Sequence, residues 1–248
     1  MDLQTFFAQC PEVAIAFSGG VDSAYLLYAA VQYAKRVKAY YVKTAFQPQF
    51  ELDDACRLAE TLGASMEILN VDVLCEGVIT ANPPDRCYHC KKKLFSVILN
   101  AAKNDGFPVL LDGTNASDEA SDRPGMRALT ELSVRSPLRE CGLTKVNIRE
   151  FSKAAGLFTH DKPAYACLAT RIPTGETITL EKLQRTELAE GYLSKLGFRD
   201  FRVRSQQDTA KLQLRKEDFA LVLAHRDEIL QELKQHYGHV LMDLEERK

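Results

Sequence analysis

An α/β fold, a doubly wound parallel sheet followed by a small α+β domain, is predicted by three observations. Short apolar, strand-like runs alternate with amphipathic helical segments up to about residue 155. The first apolar run ends in a Ser-Gly-Gly turn that leads into a helical pattern. The alternation then stops at a Gly- and Pro-bearing stretch, Gly156 to Thr179, and a different pattern follows it.

The elements read in order. Val13 to Phe17 is a buried strand ending at Ser18-Gly19-Gly20. Leu26, Leu27, Ala30, Val31 and Ala34 recur at helical spacing. Val37 to Val42 is a second strand, and Leu52, Ala55, Cys56, Ala59 and Leu62 form a second helix stopped by Gly63. Met66 to Val71, a helix from about Arg86 to Asn104, and Val109 to Leu111 continue the rhythm. A fifth strand is expected at Val134 to Ser136, before a helix through Val146, Ile148, Phe151 and Ala154. Apolar strands in repeated β-α units imply a parallel sheet covered on both faces. Beyond the break come a helix from Leu180 to Leu196, strands at Phe201 to Arg204 and Leu212 to Leu214, a helix over about Phe219 to His236, and a closing strand at Val240 to Met242. The expected organisation is a first domain over 1–158, a linker loop over 159–179 and a second domain over 180–248.

Composition excludes several classes. With 248 residues, 46% hydrophobic and 27% charged, the chain suits a packed core rather than disorder. No apolar run approaches the roughly 18 residues of a membrane span. Met1-Asp2-Leu3-Gln4 lacks the basic start of a signal peptide, so a cytoplasmic protein without a membrane partner is expected. Lys and Arg total 32 against 34 Asp and Glu, which gives no global footprint for nucleic acid. Seven cysteines cannot all pair within the chain; in a reducing cytosol they serve packing, metal binding or reactivity.

Ser18-Gly19-Gly20-Val21-Asp22-Ser23 is the first segment that carries chemistry. Two glycines permit a sharp turn and close approach to a ligand. The unpaired N–H groups and dipole of the following helix favour an anion there. Asp22 suits either a helix cap or a phosphate-bound Mg²⁺. The segment resembles the SGGxDS signature of the PP-loop ATP pyrophosphatases. That resemblance implies ATP bound over the loop, AMP transfer to a substrate oxygen and release of pyrophosphate.

Cys87 and Cys90 form a Cys-x-x-Cys pair, which spacing alone leaves open among zinc, an iron–sulfur cluster, a redox dithiol and ordinary packing. Cys167 lies in the linker segment Lys162 to Pro173. Zinc held with His89 and a three-cysteine [4Fe–4S] site are both compatible with these residues. Cys10, Cys56, Cys75 and Cys141 read as packing residues.

Together with the loop, the blocks Asn82 to Lys91, Asp112 to Asp118, Arg123-Pro124-Gly125, Ser136-Pro137-Leu138 and Lys162 to Pro173 resemble the LarE-type ATP-dependent sulfur transferases of nickel-pincer cofactor biosynthesis. The likeness spans about residues 13 to 205. It implies adenylation of a ring carboxylate of pyridinium-3,5-biscarboxylic acid mononucleotide, followed by sulfur transfer. In one branch of the family the cysteine matching Cys167 gives up its own sulfur. In the other, three cysteines hold a [4Fe–4S] cluster that delivers sulfide, and Cys87, Cys90 and Cys167 match that pattern.

The resemblance further implies that Ser18, Gly19, Gly20, Val21, Asp22, Ser23, Thr44, Gly113, Thr114, Asp118 and Arg123 contact ATP and its Mg²⁺. It places Glu190 near the reacting cysteine and assigns Arg202 and Arg204 to the substrate phosphate; Arg171, close to Cys167 in the sequence, suits holding a phosphate or stabilising the adenylate. Taken alone, Asp118 also suits an N-cap, and Arg171 and Glu190 also suit a solvated surface. The implied partners are a small nucleotide substrate, sulfide or a sulfur donor, and further copies of the chain in a homo-oligomer, with no nucleic acid. One departure stands out: the family commonly follows the Arg pair with His-Gly and an Arg-containing strand, where this chain has Ser205 to Lys211. The rival readings are a PP-loop tRNA thiolase, which a tRNA gel shift distinguishes, an amidotransferase-type synthetase, for which the chain shows no glutaminase module, and a non-catalytic ATP-binding protein.

Overall fold

The computed structural model describes residues 1–118 and 124–247. The chain divides into two compact units, Met1–Val73 with Asp85–Ala164, and Leu74–Pro84 with Tyr165–Lys248.

In the first unit, α1 (Leu3–Gln9) is capped by Asp2, whose carboxylate accepts from Thr5 N, and it buries Leu3, Phe6 and Phe7. Next come β1 (Glu12–Ala16), α2 (Val21–Tyr33), β2 (Arg36–Lys43), α3 (Gln49–Thr61) and β3 (Met66–Asn70). A short helix, α4 (Gly77–Thr80), lies in the segment that belongs to the second unit. The first unit resumes with α5 (Arg86–Asn104), β4 (Val109–Leu111), α6 (Pro124–Glu131), α7 (Pro137–Glu140) and α8 (Lys145–Ala154). The four strands are parallel in the order β3-β2-β1-β4. Side chains alternate across the sheet, so Val13 and Ile15 join Leu26, Leu27 and Ile148 on one face, while Ala14 and Tyr40 join Ile98 and Phe107 on the other. Helices therefore cover both faces, as expected. Since β1 pairs with both β2 and β4, the chain switches direction beside β1, where open α/β sheets bind ligands at their carboxyl ends.

The expected fifth strand is not a strand. Arg135 makes a single parallel bridge to Leu111, donating to Leu110 O and accepting from Asp112 N. Pro137 then opens α7, and with no N–H it cannot extend a ladder.

In the second unit, Asn82 fastens residues 74–84 to the loop around Pro173. Its Nδ2 donates to Ile172 O at 3.3 Å and Pro173 O at 2.7 Å, and its own carbonyl accepts from Gly175 N. Residues 159–164 pack with the first unit and 165–179 with the second. The second unit continues with α9 (Leu180–Lys195), β5 (Arg202–Gln206), β6 (Thr209–Gln213), α10 (Phe219–Ala224), α11 (Arg226–Leu233) and β7 (His239–Met242). β5 and β6 form an antiparallel hairpin, and β7 adds parallel to β6. Val203, Ala210 and Leu212 face a core with Leu193, Ile229 and Leu233. The single helix expected over 219–236 is two helices meeting at His225, with Asp227 and Glu228 in the first turn of α11, where a helix favours acids.

Candidate functional site

The carboxyl end of β1 runs into Ser18–Ser23. Gly19 has φ +72°, and a Cβ there would stand 3.1 Å from Ala55 Cβ and 3.2 Å from Glu51 O. Only glycine fits that conformation without strain. The Ser18 and Ser23 hydroxyls lie 3.0 Å apart, and Ser23 Oγ reaches Gly20 O, so they stiffen the turn. Gly20 precedes α2 without a side-chain cap, and Val21 anchors the first turn in the core. The α2 N-terminus thus presents backbone donors at the switch point.

Asp22 sits in that first turn. Lys145 Nζ donates to its Oδ2 at 2.6 Å, while Oδ1 is buried with no hydrogen-bond partner among the described residues. Burial raises the Asp22 carboxyl above the usual range, against the pull of Lys145, and the charge of Asp118 adds to the rise. An orphaned buried carboxylate oxygen next to a second carboxylate fits a divalent cation. The loop after β4 closes on the same place: a Cβ at Gly113 would stand 2.9 Å from Ser23 N. Thr114 Oγ1 and Ser136 Oγ both donate to Asp112, which holds this loop in shape. Asp118 Oδ2 accepts from Asn115 N at 3.0 Å. Arg123 lies outside the described residues. Thr44 spends its hydroxyl on the turn after β2, donating to Gln47 Oε1 and accepting from Phe46 N.

Lys145 carries no signature that sequence reading found, and Lys162 stood only at the edge of the block Lys162 to Pro173, with no role of its own. Lys162 Nζ lies 2.8 Å from Asp54 Oδ2 and 3.1 Å from Glu51 Oε1, the latter an ion pair without hydrogen-bond alignment. It also reaches Gly19 O at 3.5 Å, tying α3 to the glycine turn. Arg127 stacks 3.8 Å over the Tyr88 ring.

Cys87 and Cys90 occupy the first turn of α5, three residues apart on one face, Cys87 exposed and Cys90 half-buried. Arg86 Nη2 reaches Cys87 Sγ at 3.8 Å. His89 Nε2 stands 3.2 Å from Asp85 Oδ2. Within either unit, no three described His, Cys, Asp or Glu side chains form a group able to hold a metal ion. No cysteine is in a disulfide.

The second unit brings Cys167, Arg171, Glu190, Arg202 and Arg204 into one neighbourhood. Cys167 caps a short 3₁₀ turn, Leu168–Arg171, and its carbonyl accepts from Thr170 N and Thr170 Oγ1. Arg171 is 1% exposed and Glu190 4%, which overturns a solvated reading of either. Arg171 Nε and Nη2 grip Glu190 at 2.8 and 3.0 Å, a bidentate pair. Its Nη1 donates to Ala166 O and Thr170 Oγ1, so the guanidinium spans the residues that flank Cys167. Tyr165 OH and Val203 N complete the shell of Glu190. Burial raises the Tyr165 phenol well above its usual range. Arg202 is buried over the Tyr165 ring, donates to Phe201 O, and is pushed down to about 10 by burial and by Arg171. Arg204 donates to Thr170 O at 2.6 Å and Gln213 Oε1 at 2.7 Å.

Among the described residues no helix is long and apolar enough to cross a membrane. No family model matches the chain. It is 38% identical over 252 residues to an uncharacterised protein of Synechocystis sp., covering 98% of this chain and 92% of the relative. It is 34% identical over 235 residues to the pyridinium-3,5-bisthiocarboxylic acid mononucleotide synthase of Lactiplantibacillus plantarum, covering 94% of this chain and 85% of that protein. A tRNA-specific 2-thiouridylase of Thermotoga petrophila is 30% identical over 142 residues, 48% of this chain and 40% of its own length.

Proposed function

The chain belongs to the LarE-type ATP-dependent sulfur transferases, within the PP-loop ATP pyrophosphatases, and on that premise we propose that it converts a carboxylate of pyridinium-3,5-biscarboxylic acid mononucleotide into a thiocarboxylate. The observation that carries this reading is the reach of the likeness. The synthase is 34% identical over 94% of the chain, through both units, whereas tRNA-specific 2-thiouridylases reach 48% of it at 30% identity or 75% of it at only 26%.

In the proposed reaction a carboxylate oxygen of the substrate attacks the α-phosphorus of ATP. The bond to pyrophosphate breaks, and an acyl adenylate forms. Oxide is a poor leaving group and AMP a good one, so the acyl carbon is then open to a sulfur nucleophile. A C–S bond forms as AMP departs. The N–H groups of the glycine turn and α2 bind the phosphates, and Gly113 lets the second loop approach them. Asp22 Oδ1, with Asp118 close by, is the natural ligand for Mg²⁺.

Sulfur delivery follows one of two routes in this proposal. A [4Fe–4S] cluster held by Cys87, Cys90 and Cys167 would supply an exchangeable sulfide. The one-face spacing of Cys87 and Cys90 and the exposure of Cys87 support it. Otherwise Cys167 forms the thioester itself; its Cβ–S bond then breaks, leaving dehydroalanine on the chain and the sulfur on the product. In both routes Arg171 and Glu190 are positioning residues that hold the backbone around Cys167. Homo-oligomerisation and a cytoplasmic setting remain part of the proposal.

Pyrophosphate release is measured with ATP, Mg²⁺ and the biscarboxylate mononucleotide, for wild type and Asp22→Ala. Release that the variant loses supports the proposal; equal release in both removes the ATP site. Iron and acid-labile sulfide are counted after anaerobic reconstitution, for wild type and Cys87→Ala. About four of each per chain, lost in the variant, selects the cluster route. No iron, with a mass loss of one H₂S after turnover, selects Cys167 as donor.

A further inference from the structure

We propose that Lys162 is a positioning residue for the glycine turn: its ammonium holds the Gly19–Gly20 peptide in the orientation that turns the Gly20 N–H toward the hydroxyls of Ser18 and Ser23, the side on which phosphate binds. This deepens the reading above, in which the turn binds the phosphates of ATP, and rests on it.

Gly19 and Gly20 are the sole adjacent pair of glycines in the chain. A peptide plane between two glycines rotates more freely than any other, because neither flank carries a Cβ that bars the alternative. A phosphate-binding turn gains affinity when that plane is fixed in advance, since ordering it on binding costs free energy. The turn itself does little to fix it. Gly20 N donates to Ser18 Oγ at 3.4 Å, near the limit of a hydrogen bond, and no side chain caps α2.

Lys162 supplies the hold from outside the turn. Its Nζ lies 3.5 Å from Gly19 O. That is long for a neutral hydrogen bond, but a charge acts over it, and the Lys162 side chain is only 14% exposed, so water screens it little. A trans peptide points its C=O and N–H to opposite sides. A cation at Gly19 O therefore turns the Gly20 N–H away from Lys162 and toward Ser18 Oγ, which stands 3.0 Å from Ser23 Oγ.

The ammonium is itself held in place. Asp54 and Glu51, both on α3, flank it at 2.8 and 3.1 Å. Asp54 also takes Arg57 at 3.0 Å, and Arg57 stacks 3.6 Å over the Phe158 ring. Arg149 on α8 donates to His160 O at 2.6 Å and to Lys162 O at 2.8 Å. Residues 158–162 thus form a strap between α3 and α8, within the first unit. The glycine turn is pressed onto the same α3, where Gly19 meets Ala55 and Glu51. Two carboxylates beside a polyphosphate site would repel it; Lys162 and Arg57 cancel both charges, so the brace is neutral. An ammonium has three donors, and this one faces two carboxylates and one carbonyl. Its charge is spent on the protein, which makes Lys162 a residue that shapes the turn rather than a ligand of the phosphates.

The test uses the full chain as wild type, Lys162→Met and Lys162→Arg. Labelling all glycines with carbonyl ¹³C and amide ¹⁵N leaves one directly bonded ¹³C–¹⁵N pair, at Gly19–Gly20, which nitrogen–carbon correlated NMR reads without ligand. That signal should be displaced or split in Lys162→Met and return in Lys162→Arg. Calorimetry with Mg²⁺ and α,β-methylene ATP should give affinity about tenfold weaker in Lys162→Met and within about threefold of wild type in Lys162→Arg, while adenosine binds all three within about twofold. Analogue affinity unchanged in Lys162→Met, or adenosine affinity lost to the same degree, overturns the proposal. Weaker analogue binding with an unmoved Gly19–Gly20 signal overturns it too, because Lys162 would then act on the phosphates directly. A displaced signal and weaker analogue binding in a protein that releases no pyrophosphate with the biscarboxylate leave Lys162 in this role and remove the proposed reaction.

Discussion

Around Ser18–Ser23 polar atoms are left short of protein partners, whereas around Cys167 almost every one is matched. Among the described residues Asp22 Oδ1 is buried and unbonded, and the first turn of α2 has no side-chain cap. Glu190 by contrast accepts from Arg171, Tyr165 and Val203, and Arg171 holds the carbonyl and hydroxyl on either side of Cys167. A place built for a diffusible anion and its cation keeps backbone donors and a carboxylate oxygen in reserve. A place built to present a residue of its own chain spends them on rigidity.

The strongest way to break this comparison is to strand one member of the buried pair. Glu190→Ala leaves Arg171 charged without a partner, and a loss of about 3–5 kcal/mol is expected in denaturant unfolding. The double change Arg171→Met with Glu190→Ala should recover part of it, because the uncompensated charge is gone. A single-variant loss below about 1 kcal/mol would show that the pair is not what fixes the Cys167 turn.

The glycine cradle is the next test. Gly113→Ala places a Cβ against the backbone of Ser23, and about 1–3 kcal/mol of overpacking is expected together with weaker ATP binding. Gly20→Ala meets only Ser18 Oγ at 3.5 Å and should be nearly neutral. Equal effects at the two positions would contradict the close approach of the loops.

These two regions differ also in how much of each could be read in advance. The glycine turn was legible because strand, turn and helix are contiguous, and because the alternation of Val13 to Phe17 with α2 is local. The parallel sheet and the β5–β6 hairpin followed from the same periodicities. What escaped were partners joined only by folding. Lys145 meets Asp22 across 123 positions, and Lys162 meets Gly19 across 143. Residues 74–84 fall with the second unit through the carboxamide of Asn82, a bond that no periodicity reveals. The short α1 has seven residues, too few for a repeat to stand out. A surface reading of Arg171 stayed open beside the functional one because sequence shows a charge but not the glutamate that lets it be buried.

Asp22 gives a smaller effect whose sign depends on pH. Its carboxyl is raised in the folded chain, chiefly by burial, so its ionisation costs stability. That cost is absent below the unfolded value near 3.8 and complete above the folded value. Asp22→Asn should therefore leave stability at pH 7 unchanged or slightly higher while pyrophosphate release is lost. Urea melts at pH 4 and pH 7 check it; a variant less stable than wild type at pH 7 alone would make Asp22 a structural residue.

The smallest expected effect separates a half-buried ion pair from a buried one within the second unit. Asp243 is held down to about 2, first by Lys211 and then by Gln213. A depressed carboxyl adds stability above its unfolded value near 3.8, and this is lost as pH falls toward 2. Asp243→Asn should flatten the acid limb of thermal stability between pH 4 and pH 2 and change little at pH 7. Since the pair is only half-buried, added salt should reduce the difference. The loss caused by Glu190→Ala should survive the same salt, because that pair is screened by protein rather than by ions. If both effects vanish in salt, Arg171 and Glu190 are reached by solvent and Cys167 is not rigidly presented. If neither does, Asp243 belongs to the packed frame of the second unit.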